Sequence, residues 1–378
     1  MSTIVIAVIL TALVFDFTNG FHDTANAMAT SIATRALRPR VAVVLAGVLN
    51  LIGAFLSVQV ALTISSGLVD EALITPEVIF GGLVGAILWN LLTWLMGLPS
   101  SSSHALFGGL IGATWVFAGS SGIHFSTVVG KVLVPLALSP IVAGLVALAA
   151  TWVAYRLAAR AERRTVNRGY QTAQVVSASM VALAHGTNDA QKTMGVITLT
   201  LITVGLLPAQ SAPPLWVVVA AGLAIALGTA MGGWRIIRTL GKRISEIESP
   251  QGFAAETAST AVILSAAHLG FALSTTQVAT GAVLGSAAGR PEALVRWDVA
   301  GRMVGIWLIT LPAAAVMGAL AAWIAARGTT GTVLVGALLI AASGGIFALS
   351  RHKPVSAATV NDDAPAPRPV AVPAHAAA

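Results

Sequence analysis

Residues Phe15 to Thr30 set two carboxylates (Asp16, Asp23), two amides (Asn19, Asn26) and an imidazole (His22) inside an otherwise apolar run. Such groups are costly in hydrocarbon, so within a membrane span they line a buried site or pathway. The stretch returns later in the chain. Gly186-Thr187-Asn188-Asp189-Ala190-Gln191-Lys192-Thr193-Met194 repeats it, with Gly20, Asp23 and Met28 each displaced by 166 positions. A polar, glycine-containing break at corresponding places in two halves points to a transporter binding site. A lone carboxylate there must take up a proton or find a cation.

Asp23 is followed by Asn26, and Asp189 is flanked by Asn188 and Gln191, whose amide carbonyls are hard oxygen ligands for an alkali cation. The expected role of both carboxylates is therefore a cation or proton site. The alternative is a buried carboxylate satisfied by neighbouring helices. Lys192 breaks the symmetry, since it occupies the place of Asn26. A tethered ammonium there can stand in for a second bound cation or pair with Asp189. His22, His104 and His185 lie near these residues; each could relay protons or act as hydrogen-bonding glue between helices. Glu256 is a further protonatable candidate, and Asp16, Asn50 and Asn90 are further polar residues within apolar runs. Asp298 and Arg302, four apart, read as a helix ion pair.

Two hydroxyl-rich tips form the second constellation. Pro99-Ser100-Ser101-Ser102-Ser103-His104 and Ser274-Thr275-Thr276-Gln277 each precede a short apolar run. Free N–H groups at the ends of broken helices bind anions, with the helix dipole behind them. Two such tips meeting from opposite sides would surround a tetrahedral oxyanion with neutral donors, which suits release. Ser and Thr can instead cap their own helices. Two tips at matching positions in two halves weigh against capping as their whole purpose.

The elements that must carry these residues are helices in a membrane. The chain is 56% hydrophobic and 9% charged, with a mean hydropathy of +0.87; soluble domains carry roughly 25% charged residues. There is no cysteine, which excludes disulfides, thiol catalysis and cysteine metal sites. The net charge of +7 does not indicate nucleic acid, because the basic residues sit in short loops between apolar runs. No metal or other cofactor is expected beyond a coupling cation, H+ or Na+. No cleavable signal peptide is expected either, since the start lacks a basic segment.

Apolar runs fall near 2–34, 41–64, 78–98, 104–119, 128–154, 173–200, 214–234, 253–272, 276–288, 302–325 and 331–350. A full span needs about 20 residues, and 104–119 and 276–288 fall short of it. Segments 78–119 and 253–288 therefore read as re-entrant hairpins. If loops 35–40, 155–170, 235–250 and 289–302 and the tail are cytoplasmic, they hold 18 of the 21 basic residues. Loop 65–77 carries Asp70, Glu71 and Glu77 and no base, so it reads as external. This split obeys the positive-inside rule and puts the N-terminus outside and the C-terminus inside. The expected fold is an all-α polytopic membrane protein of two inverted-topology repeats, each with a re-entrant helical hairpin. Residues 1–154 form the first repeat, 155–170 a basic cytoplasmic linker and 171–325 the second repeat. A final transmembrane helix spans 326–350, and 351–378 is expected to be a disordered cytoplasmic tail. Gly108 and Gly112 behind the first tip match Gly281 and Gly285 behind the second, at an offset of 173.

At Gly20–Asn26 and His185–Lys192 the chain resembles the PiT inorganic phosphate transporter family, in its bacterial low-affinity permease branch. The tips resemble that family's paired Ser/Thr-rich hairpins, and the resemblance covers most of residues 1–350. It implies a secondary active symporter importing inorganic phosphate across the cytoplasmic membrane by rocking or elevator-like alternating access. It also implies phosphate binding by Ser101, Ser102, Ser103, Ser274, Thr275 and Thr276, to which Gln277 is added. Asp23, Asn26, Asn188 and Asp189 would serve the coupling cation. Two departures matter. Sodium-linked members often carry a second Asn where this chain has Lys192, and Gln277 stands where a His is common. Coupling is accordingly expected to be to protons, or transport to be of metal–phosphate. The alternatives are a sodium-coupled phosphate symporter and a sulfate permease of the same family. Phosphate differs from sulfate in its P–OH donor, which needs an acceptor such as Asp23, Asp189 or Gln277. The expected partners are phosphate, the coupling cation, the lipid bilayer and a second copy of the chain in a homodimer.

An intramembrane serine hydrolase built on Ser103 and a His is the rival from another class. Serine chemistry needs a nucleophile held to a base by a third orienting group. Adjacent Ser103 and His104 point in different directions on a helix, so no enzymatic activity is expected.

Overall fold

The computed structural model describes residues 2–159, 162–290 and 295–362. Among them the chain is helical almost throughout. The first half comprises α1 (Thr3–Ala33), α2 (Pro39–Gly53), α3 (Gln59–Gly67), α4 (Pro76–Met96), α5 (Ser102–Ala118), a short turn α6 (Phe125–Thr127) and α7 (Val134–Ala158). The second comprises α8 (Arg163–Thr203), α9 (Leu215–Met231), α10 (Trp234–Arg238), α11 (Ser249–His268), α12 (Thr275–Ala288), α13 (Trp297–Ala325) and α14 (Thr329–Ser350). Among the described residues six helices are long and apolar enough to cross a membrane, or seven if α9 and its bent continuation form one span.

Local chemistry sets the helix ends. Proline at the first turn starts α2, α4 and α11, where its missing N–H is no loss. A capping box of Glu248 and Gln251 adds to the start of α11. Gly97 ends α4 at φ +67°, a left-handed conformation that glycine enters without strain. The hairpins expected at 78–119 and 253–288 are α4–α5 and α11–α12, with tips at residues 97–101 and 269–274. α4 has 21 residues, about the length of a full crossing. Length alone therefore does not stop the first hairpin at mid-membrane; its tip stops where it meets the other tip.

The packing is reciprocal. α4 and α5 lie on α13, whereas α11 and α12 lie on α7. α1 packs on α9 and α8 on α2. Each hairpin is thus seated on a long helix of the opposite half, α13 or α7. The seats are made by small residues: a Cβ at Gly112 would run into the carbonyl of Ala315, and one at Gly285 into that of Gly144. These are the glycines that follow the two tips at matching positions, and close approach of backbones is what they allow.

Three expectations differ from the structure. Run 41–64 is broken between Gly53 and Gln59, because the Gln191 side chain accepts from the backbone N–H of Val60 at 2.8 Å and caps a separate α3. Run 214–234 bends by 59° after Met231, where Gly232 sits at φ +77°. The basic linker at 155–170 is mostly helical: α7 continues to Ala158 and α8 begins at Arg163. The tail also differs where it is described. Residues 351–362 form turns docked on the protein, with Val360 buried and Asn361 Nδ2 donating to the Ile32 carbonyl at 3.2 Å. Arg235 holds the carbonyls of Ser350 and Lys353, each at 2.7 Å, which anchors the segment. Residues 363–378 lie outside the described part.

Candidate functional site

The two polar motifs do not interrupt their helices. α1 runs unbroken through Asp23 and α8 through Asp189, and Gly20 and Gly186 are helical positions of close contact. A Cβ on Gly186 would collide with the Asn50 backbone, which lets α2 press on α8. The polar residues of α1 recur at Asp16, Asn19, Asp23, Asn26 and Thr30, a three–four spacing that puts them on one helix face. That stripe and its counterpart on α8 face the two tips.

Asp23 is the hub of the first half. Its Oδ1 lies 2.6 Å from His22 Nδ1 and accepts from Thr276 Oγ1 at 3.2 Å. Its Oδ2 accepts from Ser102 Oγ at 2.7 Å. One carboxylate therefore ties together both tips. Asp189 is the hub of the second half. Lys192 Nζ and Asn188 Nδ2 donate to its Oδ1 at 2.6 and 2.7 Å. Asn19 Nδ2 and Thr275 Oγ1 donate to its Oδ2 at 3.2 and 3.4 Å. Asn26 spans the gap, with Nδ2 donating to Thr275 Oγ1 at 3.2 Å and Thr276 Oγ1 at 3.1 Å. All of these side chains are buried.

The hydroxyls divide between capping and contact. Ser101 and Ser274 are the N-caps of α5 and α12, accepting from the N–H of His104 at 3.2 Å and of Gln277 at 3.3 Å. Ser103 donates to the Leu273 carbonyl at 2.7 Å, a bond from one tip to the other. Ser102, Thr275 and Thr276 point at the carboxylates. His104 and Gln277, equivalent by the offset of 173, meet at 3.4 Å. The tips are thus closed on each other, with the N-termini of α5 and α12 converging on the carboxylates. Ser103 is bonded to a carbonyl rather than to His104, so no serine–histidine dyad forms.

The other histidines are also drawn in. His22 Nε2 approaches Ser100 Oγ at 3.3 Å and Thr93 Oγ1 at 3.4 Å. His185 Nε2 lies 3.3 Å from Asp189 Oδ2, and its Nδ1 lies 3.3 Å from Asn50 Oδ1. Ligand atoms of Asp23, His185 and Asp189 all fall within 4.8 Å of one another, close enough to share one positive charge. The amide oxygens of Asn19, Asn26 and Asn188 are buried without a hydrogen-bond partner among the described residues, so acceptor capacity remains around that point.

Glu256 stands apart. Thr30 and Ser31 donate to its Oε1 at 2.6 and 2.5 Å, Gln174 Nε2 does so at 3.3 Å, and Ser177 Oγ donates to its Oε2. A cavity of about 10 Å3 lined by Asn26, Thr30, Glu256 and Ser259 separates it from the tips; that is room for about one water. Gln191 is the sequence candidate that leaves the site, since its oxygen serves α3. Asn19 and Ser100, present in the first motif and the first tip but given no role there, join it, as does Thr93. The i, i+3, i+7 spacing of Asp16, Asn19 and Asp23 places Asn19, and the serine run carries Ser100; Thr93 left no signal.

Residues 19–318 match the family described as the phosphate transporter family. Proteins described as "Probable low-affinity inorganic phosphate transporter" are among the relatives. The one from Mycobacterium tuberculosis is 56% identical over 363 residues, covering 95% of this chain and 87% of its own. The one from Bacillus subtilis is 40% identical over 321 residues, covering 84% of this chain and 96% of its own. A solved structure described as "The sodium-dependent phosphate transporter" superposes with a TM-score of 0.76 at 23% identity, covering 85% of this chain and 99% of that one. That likeness establishes a shared fold. A match over most of the chain, together with relatives at this identity, means that the chain belongs to the phosphate transporter family and is a multi-pass membrane protein.

Proposed function

We propose that the protein is a proton-coupled symporter that imports inorganic phosphate across the cytoplasmic membrane by alternating access. The observation that carries the reading is the competition for donors at the tips. Ser102 and Thr276 donate to Asp23, and Thr275 donates to Asp189. An oxyanion between the tips would need those same hydroxyls, along with the N–H groups that open α5 and α12. While Asp23 is a bare carboxylate it holds the donors and repels the anion. A proton on Asp23 removes both obstacles at once. Cation and anion then bind better together than apart, which is the thermodynamic content of symport.

In this scheme Ser102, Ser103, Thr275 and Thr276 offer hydroxyls to the phosphate, and Gln277 offers an acceptor for its P–OH. Ser101 and Ser274 shape the two helix starts. Asp23 takes the proton, and Asn26 carries the change to both threonines. Lys192 gives Asp189 a tethered positive partner at 2.6 Å, so a second mobile cation is not needed there while the pair is formed. His22 and His185 are the relay candidates nearest the carboxylates, and Glu256 is the one beyond the small cavity. The reciprocal seating of the hairpins on α13 and α7 supports two related halves that rock about the tips. The charge split of the loops supports an external N-terminus and a cytoplasmic C-terminus.

The test is uptake of radiolabelled phosphate by proteoliposomes, with sodium and pH gradients imposed separately at constant ionic strength. Uptake driven by external acid without sodium is expected. A strict, saturable sodium requirement with no response to a pH gradient would refute proton coupling. Stronger inhibition by sulfate than by arsenate would refute phosphate as the preferred anion.

A further inference from the structure

We propose that Asp16 is a second proton-carrying group of the transport cycle, with Lys192 as its counter-ion once the proton has left. The inference rests on the proton-coupled reading above. Asp16 lies on the polar face of α1, seven residues and about 10 Å before Asp23. Its side chain is fully buried, and neither carboxyl oxygen has a hydrogen-bond partner among the described residues. It differs in this from the other buried carboxyls. Asp23 accepts from Ser102 and Thr276 beside His22, Asp189 from four donors, and Glu256 from four. An ionised carboxylate without a hydrogen-bond donor is costly in such a place, which favours the neutral acid at Asp16.

Asn19, one turn along α1 from Asp16, donates to Asp189 Oδ2 at 3.2 Å, and Lys192, one turn along α8 from Asp189, bonds its Oδ1, so Asp189, Lys192, Thr193 and Asn19 are the groups around Asp16. Thr193 Oγ1 is itself buried without a partner. The elements packed on α1 also bring Arg40, Glu77, Arg235, Arg238, Lys242, Arg243, Glu256 and His268, with Arg164, Arg168, Tyr170 and His185 on α8 itself; none of these is among them. Lys192 therefore stands between two carboxyls. Here its ammonium is bonded to Asp189 at 2.6 Å. Loss of the proton breaks the Asp16 O–H bond, leaves the electron pair on the carboxylate and passes the proton to water. The new carboxylate draws the ammonium, which stays protonated, away from Asp189. Asp189 then faces the tips as an uncompensated anion and expels phosphate. Protonated Asp16 does the reverse, leaving Lys192 on Asp189 and the tips receptive. Proton and phosphate are bound in one state and released in the other, which is the sign symport requires.

The test uses Asp16→Asn, a shape-matched mimic of the neutral acid, in proteoliposomes. Phosphate counterflow should persist, which also reports folding. Accumulation driven by a pH gradient should fall by the share of one coupled proton, about tenfold per pH unit, leaving the share carried by Asp23. Asp16→Glu, which restores an acid, should regain accumulation with a displaced pH profile. Infrared spectra should lose the carbonyl band of a protonated carboxylic acid in Asp16→Asn relative to wild type. Accumulation by Asp16→Asn with the wild-type pH profile would overturn the proposal, as would an unchanged carbonyl band. If Asp16→Asn does not fold, an Asp16→Glu profile identical to wild type overturns it. Absence of any phosphate uptake by the wild type would instead refute the proposed function, and the infrared comparison is independent of that outcome.

Discussion

Lys192→Asn gives α8 the residue that α1 carries at the equivalent position, Asn26, and removes the fixed positive charge beside Asp189. Lys192 and Asp189 are both fully buried, and Nζ lies 2.6 Å from Oδ1. Removing one partner of a buried pair costs about 3–5 kcal/mol, because the other charge is left uncompensated. At 1.36 kcal/mol per decade this is roughly 150- to 5,000-fold in an equilibrium constant. Asn188, Asn19 and Thr275 remain as donors, but none supplies charge. The variant should therefore recruit a cation from solution at Asp189. The assay is phosphate uptake in proteoliposomes across a sodium titration at fixed pH, with choline holding ionic strength. Sodium-free uptake should fall at least tenfold from the wild type and return, saturably, with sodium. Sodium-independent uptake at the wild-type rate would refute the idea that the tethered ammonium substitutes for a second cation. It would leave the pair as a structural contact.

Thr275→Val keeps the shape of the side chain and removes the hydroxyl that accepts from Asn26 and donates to Asp189. Phosphate affinity in reconstituted protein should drop by about 1–2 kcal/mol, roughly five- to thirtyfold, while insertion and folding persist; unchanged affinity and rate would remove Thr275 from the site. Topology can be read with single cysteines, since the chain has none of its own. Ser121 is exposed and Asp298 is 71% exposed, so Ser121→Cys should react with an impermeant thiol reagent only from outside and Asp298→Cys only from inside. Labelling of both from the same side would defeat the proposed orientation. Gly285→Ala drives a Cβ into the Gly144 carbonyl of α7, whereas Gly301→Ala meets nothing within 4 Å. The first should cost about 1–3 kcal/mol of stability in thermal unfolding and the second about none; equal midpoints would show that the hairpin seat tolerates extra volume.

The sequence by itself determined the class of the molecule, its helices and the identities of the polar residues. These follow from short-range physics: apolar length, the cost of charge in hydrocarbon and the punctuation supplied by Pro39, Pro76 and Gly97. It also showed the equivalence of Asp23 with Asp189 and of one tip with the other, because duplicated motifs keep constant offsets. The tertiary structure alone decided what each residue touches. Nothing local says that Gln191 turns away to cap α3, that Ser102 and Thr276 reach Asp23, or that Asn26 bridges both threonines. Those outcomes depend on contacts between residues some 80 to 250 positions apart. The unbroken course of α1 and α8 was hidden for a related reason. The polar groups that look like helix breakers in an apolar run are satisfied by side chains arriving from other helices, so the backbone never has to open. Asp16 is the case that only the three-dimensional account exposes. Its sequence neighbours predict a polar stripe, but that it alone among the buried carboxyls of the described residues receives no hydrogen bond follows from where α8 comes to rest.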